Sequence, residues 1–243
     1  MIIAAGLDGC PRGWVAAILE QKSEVFTTRV LAFEDLPAVR VWFLKDAPQA
    51  RIGVDVPIGL PQLVGYRACD VQARALLAAS GARDRRPSVF KVPDREVASC
   101  ASFAAVQALI QQRRDQGLTV SALTVQGFGI VGKIVEADTM IRSMAERDWL
   151  VEMHPEVSFR LMATRSMLSK DSDEGKAERD RLLVAKFGDF SLSLPKPSYR
   201  ATSIDIRDAY ACLWSAIRLR AGKAITLGEN DHDVFGIPMR MVA

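Results

Sequence analysis

Four aspartates at three separated places carry the chemistry open to this sequence. Asp8 closes an apolar run, Ile2-Ile3-Ala4-Ala5-Gly6-Leu7. Asp55 lies in a second run, Arg51-Ile52-Gly53-Val54-Asp55-Val56-Pro57. Asp205 and Asp208 stand three residues apart near the start of the last long helical pattern. A carboxylate at the end of a buried strand is costly to desolvate unless something pairs with it. Three such places in one chain point to a metal ion as the missing charge. A hard cation, Mg²⁺ or Mn²⁺, takes oxygen ligands. Two such ions about 4 Å apart can stabilise both the attacking and the leaving oxygen of a phosphodiester. The candidate catalytic set is Asp8, Asp55, Asp205 and Asp208, with Asp8, Asp55 and Asp208 as metal ligands.

Each position also has a plainer reading. In a strand Ala4, Gly6 and Asp8 share one face, and the small residues leave room beside the carboxylate; Asp8-Gly9 is equally a common turn pair. Asp55 sits between two valines with no basic neighbour in sequence, which packing does not explain. Asp205 falls in a first helical turn, where the helix dipole favours any carboxylate. Asp208 is one turn deeper and precedes the apolar face Ala209, Tyr210, Leu213, Trp214 and Ile217, so it is the better candidate of the two.

The candidate substrate contacts are Arg12, Arg67, Lys133, Glu152 and His154. Glu152 and His154 belong to Glu152-Met153-His154-Pro155-Glu156, where Glu152 can face the same cleft and His154 can either move a proton or cap the next helix. Lys133 and Glu136 have the spacing of an internal helical pair. The span Arg67–Arg95 holds seven basic residues (Arg67, Arg74, Arg83, Arg85, Arg86, Lys91 and Arg95) against Asp70, Asp84 and Asp94. This excess suits a phosphate-binding rim beside the metal site, or a solvated surface. His232, in a polar loop, reads as solvated.

The elements that must position these residues follow from pattern. Residues 2–8, 14–19 and 25–31 read as strands joined by short turns, hence an antiparallel meander. Residues 51–56 are apolar on both faces, as in a central strand parallel to the first, and 149–153 form a fifth strand. Helical patterns cover 33–45, 66–79, 103–116, 129–146 and 204–221, the last capped by Ser203 and ended by Gly222. Residues 82–93 read as a loop, and Pro155 suits the first position of a helix. The charged run 170–181 reads as a solvated loop and helix start. The expected architecture is an α/β sheet of about five strands flanked by helices. It forms one domain over 1–243, with a mostly helical insertion at about 62–147.

Composition excludes little but bounds the class. The 243 residues are 49% hydrophobic and 25% charged, as in an ordinary globular chain, and the net charge of +3 is too small to argue for nucleic acid by itself. The basic residues are mostly Arg, which suits bidentate phosphate contacts. Cys10, Cys69, Cys100 and Cys212 form no C-x-x-C pair, so a zinc site is not indicated. The N-terminus runs directly into a strand without a leader pattern, and no apolar run nears membrane-spanning length. The expectation is a reduced, cytoplasmic protein.

Several blocks resemble a domain-of-unknown-function family of predicted ribonuclease-H-like nucleases. They are Gly6-Leu7-Asp8-Gly9-Cys10-Pro11-Arg12-Gly13-Trp14, Gly53-Val54-Asp55-Val56-Pro57-Ile58-Gly59-Leu60, Arg67-Ala68-Cys69-Asp70, Ser88-Val89-Phe90, Lys133-Ile134-Val135-Glu136-Ala137-Asp138 and Glu152-Met153-His154-Pro155-Glu156-Val157-Ser158-Phe159. The resemblance covers nearly the whole chain. It implies a ribonuclease-H-like sheet with Asp8 on the first strand, Asp55 on the fourth and Asp205 or Asp208 on the last helix, and a metal-dependent nuclease acting on DNA or RNA. The Asp205-Ile206-Arg207-Asp208 stretch departs from the acid- and Ala-rich start usual for that helix, so the helical ligand stays open between the two. Two other functions remain: a non-catalytic nucleic-acid or ligand-binding module on a nuclease scaffold, and an ATP-dependent phosphotransferase of the actin/sugar-kinase type. The second needs a Gly- and Ser/Thr-rich phosphate cradle that Cys10-Pro11-Arg12-Gly13 and Val56-Pro57-Ile58 do not supply.

Overall fold

Three strands at the front of the chain build the meander: β1 (Ile2–Cys10), β2 (Gly13–Lys22) and β3 (Val25–Phe33). β4 (Arg51–Val54) and β5 (Leu150–Glu152) complete one sheet in the order β3-β2-β1-β4-β5. The first three strands pair antiparallel, and β4 pairs parallel with both β1 and β5. The computed structural model describes residues 1–47, 50–78, 88–165, 167–188, 190, 192 and 200–243. Its mixed five-stranded sheet with flanking helices is consistent with the ribonuclease-H-like arrangement that the resemblance implied.

Helices cover both faces. The first is α1 (Leu36–Asp46), and α2 (Ala68–Ala78), α3 (Arg95–Ala98), α4 (Phe103–Asp115), α5 (Val125–Gly129) and α6 (Val131–Arg142) lie between β4 and β5. Then come α7 (Pro155–Ala163), α8 (Asp173–Phe187) and α9 (Ser203–Arg220), followed by a small hairpin, β6 (Thr226–Leu227) with β7 (Met241–Val242). Strand alternation sends Ala5, Leu7, Trp14, Ala16, Ile18, Ile52 and Val54 into one core with α1 and α6. It sends Ala4, Val15, Ala17, Val151 and Met153 into the other, with Phe159 of α7, Leu183 of α8 and Ile206, Ala209, Tyr210 and Leu213 of α9.

α9 lies directly on β1 and β4, backbone against backbone. A Cβ on Gly6 would stand 2.0 Å from the Leu213 amide nitrogen and 2.2 Å from the Ala209 carbonyl oxygen. One on Gly53 would meet Met153 Sδ at 2.1 Å. The small face that the sequence shows beside Asp8 is therefore the seat of α9.

Several boundaries differ from the sequence pattern, each for a local reason. α1 starts at Leu36 because Asp35 caps it and Pro37 suits the first turn. α2 starts at Ala68, where the Asp70 carboxylate accepts from the Arg67 amide at 2.8 Å. The pattern over 129–146 forms α6 over Val131–Arg142, and a short α5, capped by Thr124, precedes it. β4 ends at Val54, although the Asp55 amide still donates to Leu7 O at 3.0 Å. The cap of α9 is Thr202, not Ser203: Thr202 and Asp205 exchange side-chain and backbone hydrogen bonds in a capping box. The run expected as solvated is largely α8, with Glu178 and Arg179 buried. Residues 82–87 of the expected loop lie outside the described residues. No described helix is long and apolar enough to cross a membrane.

Candidate functional site

β1 and β4 deliver the first two carboxylates together. Leu7 and Val54 are register partners, and Asp8 and Asp55 follow them on parallel strands, which run about 4.8 Å apart. Side-chain alternation turns both toward the α9 face. Asp208, one turn into α9, is held over the same strands by the Gly6 and Gly53 contacts. Asp8, Asp55 and Asp208 all line one cavity of about 890 Å³, together with Glu152, His154, Glu156, Lys133 and Lys170.

The site carries more negative charge than its protein partners balance. Asp8 accepts from its neighbour Gly9 N at 2.8 Å. Among the described residues Asp55 has no hydrogen-bond donor to its carboxylate, and Asp208 has the Lys170 ammonium at 3.6 Å. Burial, then repulsion from Asp55, Asp208 and Asp205, pushes the Asp8 carboxyl well above its ordinary value. Burial pushes Asp55 up to about 7, with Lys170 pulling the other way and Glu156 adding to the rise. Burial likewise pushes Asp208 to about 7, opposed by Lys170 and reinforced by Asp55 and Glu156.

Asp205 separates from this group. Its carboxylate accepts the Thr202 amide at 2.7 Å, and it does not line the cavity. It acts on Asp8 through its charge, but its geometry is that of a helix cap. Of the two helical aspartates, Asp208 is the one that faces the strand-end pair.

The substrate-contact candidates divide into free and committed groups. Arg67 is 3% exposed. Its guanidinium donates to Asp70 at 2.8 and 3.0 Å, to Glu152 at 2.5 and 2.7 Å, and to the carbonyls of Ile58 and Gly59. Glu152 also accepts the Ile58 amide at 2.7 Å. Arg67 and Glu152 thus clamp the 58–59 turn to β5 and α2, and the turn in turn fixes where β4 releases Asp55. Lys133 donates to Gly13 O at 2.7 Å, sits 4.6 Å over the Trp14 ring and is 3.8 Å from Glu136. Glu136 is held separately by Trp14 Nε1 at 3.0 Å and the Leu36 amide at 2.5 Å. His154 stands just before α7 with Nε2 3.3 Å from Ser88 O and Nδ1 buried without a partner. Burial lowers its pKa, so the ring is neutral near pH 7. Arg12 is exposed in the β1–β2 turn, beside the cavity wall formed by Pro11.

The basic stretch Arg67–Arg95 does not read as a free rim where it is described. Arg67 is buried in its clamp. Arg74 lies over the Tyr66 ring at 4.6 Å and donates to Val89 O. Arg95 pairs with Asp138 and Asp233. Lys91 faces the Tyr66 ring at 5.8 Å and lines the cavity. Arg83, Arg85, Arg86 and Asp84 lie outside the described residues.

Two groups of side chains could be considered for a metal. Among the described residues, Cys69, Asp70 and Glu152 have ligand atoms that all lie within 4.8 Å of one another. Arg67 already supplies the cation there, and burial pushes the Cys69 thiol far above its usual range, so it stays protonated. A thiol must ionise to bind a metal, so this group does not fit one. The three aspartates are spread more widely. They offer hard oxygen donors, on one face, with one loosely held ammonium as counter-charge, and this donor set fits Mg²⁺ or Mn²⁺.

Two site residues escaped the sequence reading. Lys170 belongs to the run taken as solvated. Glu156, in the first turn of α7, is held by Arg179 of α8 at 2.6 and 3.0 Å beside the cavity. The one signal in the sequence is the apolar Met167-Leu168 just ahead of the charged run.

A family model described as "Protein of unknown function (DUF429)" matches residues 6–233, and the chain belongs to that family. No curated protein and no solved structure matches it.

Proposed function

We propose that this member of the DUF429 family is a metal-dependent nuclease that hydrolyses phosphodiester bonds in DNA or RNA. The observation that carries the reading is the convergence of Asp8, Asp55 and Asp208, from two strand ends and one helix, on a single cavity with too little positive charge of its own. Asp8, at the end of the strand between β2 and β4, would hold the metal together with Asp55 and Asp208. Bound Mg²⁺ or Mn²⁺ would supply a water of lowered pKa and a counter-charge for the leaving oxygen.

The chain's own groups orient and exclude. Arg67 and Glu152 fix the 58–59 turn, so Asp55 cannot swing away from Asp8. Lys133, tied to Gly13 O, keeps its charge at the β1 side of the cavity, where a phosphate of either strand type would be attracted. His154, neutral and with Nδ1 lacking a protein donor, can accept a proton without being the group on which the reaction depends. Nothing in these contacts distinguishes DNA from RNA.

The test is cleavage of labelled single- and double-stranded DNA and RNA across added Mn²⁺. Asp8→Asn should abolish cleavage while leaving the fold intact, and His154→Ala should retain measurable cleavage. Equal cleavage by wild type and Asp8→Asn would refute this mechanism. Absence of cleavage by both, with nucleic acid still bound, would leave the binding-module reading.

A further inference from the structure

We infer that Lys170 is a tethered counter-ion that occupies the place of the divalent cation's charge and must withdraw when the cation enters. The inference rests on the metal-site reading above. Lys170 lines the same cavity as Asp8, Asp55, Glu156 and Asp208, and its ammonium stands 3.6 Å from the Asp208 carboxylate.

The contact is made to be broken. The 3.6 Å separation from Asp208 exceeds the 2.7–2.9 Å of a charge-assisted hydrogen bond. The Lys170 side chain is 43% exposed, so withdrawal into water carries little desolvation cost. The neighbouring cations are locked by comparison. Arg67 is saturated by Glu152, Asp70 and two carbonyls, and Lys133 is bonded to Gly13 O.

The backbone on both sides of Lys170 is held by hydrogen bonds, which keeps the stem of its side chain at the cavity. Leu168 N donates to Glu178 at 2.8 Å, and Leu168 O accepts from Arg179 at 3.1 Å. Ser172 caps α8, and its amide donates to Ser169 O at 3.1 Å. A Cβ on Gly175 would stand 1.8 Å from Ser169 O. With the flanking backbone held, the flexible side-chain stem can carry the charge either to Asp208 or out to the cavity mouth.

Two like charges cannot share one carboxylate cluster without cost, so Lys170 weakens the cation's binding for as long as it remains. The experiment is Mn²⁺ binding by titration calorimetry at pH 8.5 on wild type, Lys170→Met, Lys170→Arg and Lys176→Met. Thermal denaturation at each Mn²⁺ level is the second readout. Lys176 pairs with Asp173 on the surface and controls for loss of any lysine. Lys170→Met should bind Mn²⁺ about tenfold more tightly and show a larger Mn²⁺-induced rise in Tm. Lys170→Arg and Lys176→Met should stay near wild type. Equal or weaker affinity in Lys170→Met, with Mn²⁺ bound by wild type, would overturn the inference alone. Failure of every form to bind Mn²⁺ would overturn the metal site and the inference with it.

Discussion

Asp208→Asn should make the metal-free protein more stable, and only above acidic pH. The carboxyl is 6% exposed, and burial, with Asp55 and Glu156 nearby, moves it from 3.8 to about 7 in the folded protein. In the unfolded chain it ionises near its ordinary value. Between those two pH values the folded state holds a proton that the unfolded state has lost, so stability falls as pH rises from about 4 to about 7 and is level above. At about 1.4 kcal/mol per tenfold in proton affinity, the full effect is at most about 4 kcal/mol. Water reaching the cavity and adjustment of Lys170 reduce this to about 2 kcal/mol. Asn keeps the shape and carries no charge, so it removes the penalty. Urea unfolding in EDTA should show the variant near wild type at pH 4.5 and about 2 kcal/mol more stable at pH 8, or about 4–8 °C in Tm for a chain of this length. Saturating Mn²⁺ should reverse the order, because only wild type keeps the full ligand set. A variant no more stable than wild type at pH 8 in EDTA would refute the charge-excess reasoning.

Two further substitutions test the supports of the site. Arg67→Met leaves Glu152 and Asp70 buried without their cation and should cost about 3–5 kcal/mol in urea unfolding, with part recovered by adding Glu152→Gln; a cost below about 1 kcal/mol would mean the clamp is not structural. Gly6→Ala places a methyl against the backbone of Leu213 and Ala209 and should lower stability by at least about 3 kcal/mol, with Mn²⁺ affinity falling too as Asp208 is lifted from the strands; an unchanged Tm would show that α9 does not sit where described.

The parts of this molecule visible in the sequence are those with a period. Apolar and β-branched runs mark all five strands of the main sheet, and alternation through Ala4, Gly6 and Asp8 marks the face that carries Asp8. The helical period of Asp208 with Tyr210, Leu213 and Ile217 located α9 and favoured Asp208 over Asp205. What stayed hidden depends on pairing across distance. Arg67 reads as a surface charge until Glu152, 85 positions away, is seen beside it. Lys170 reads as solvated because polarity marks solvent equally well whether the solvent is bulk water or a carboxylate-lined cavity. The short α5 is five residues, two of them glycine, too few for a helical period to register. The hairpin of β6 and β7 is two residues per strand, too short for alternation to register.

The close seating of α9 on β1 has a temporal side. Asp8 and Asp208 stand about 200 residues apart in sequence. At about 5–20 residues per second, synthesis separates their appearance by roughly 10–40 s. β1, β2 and β3 can pair as neighbours as soon as they emerge, and β4 can then join them. The glycine-lined seat for α9 stays bare until the last helix is delivered, so the third carboxylate cannot arrive early. On the proposed reading, a chain still under synthesis lacks one of the three carboxylates until α9 has emerged and docked.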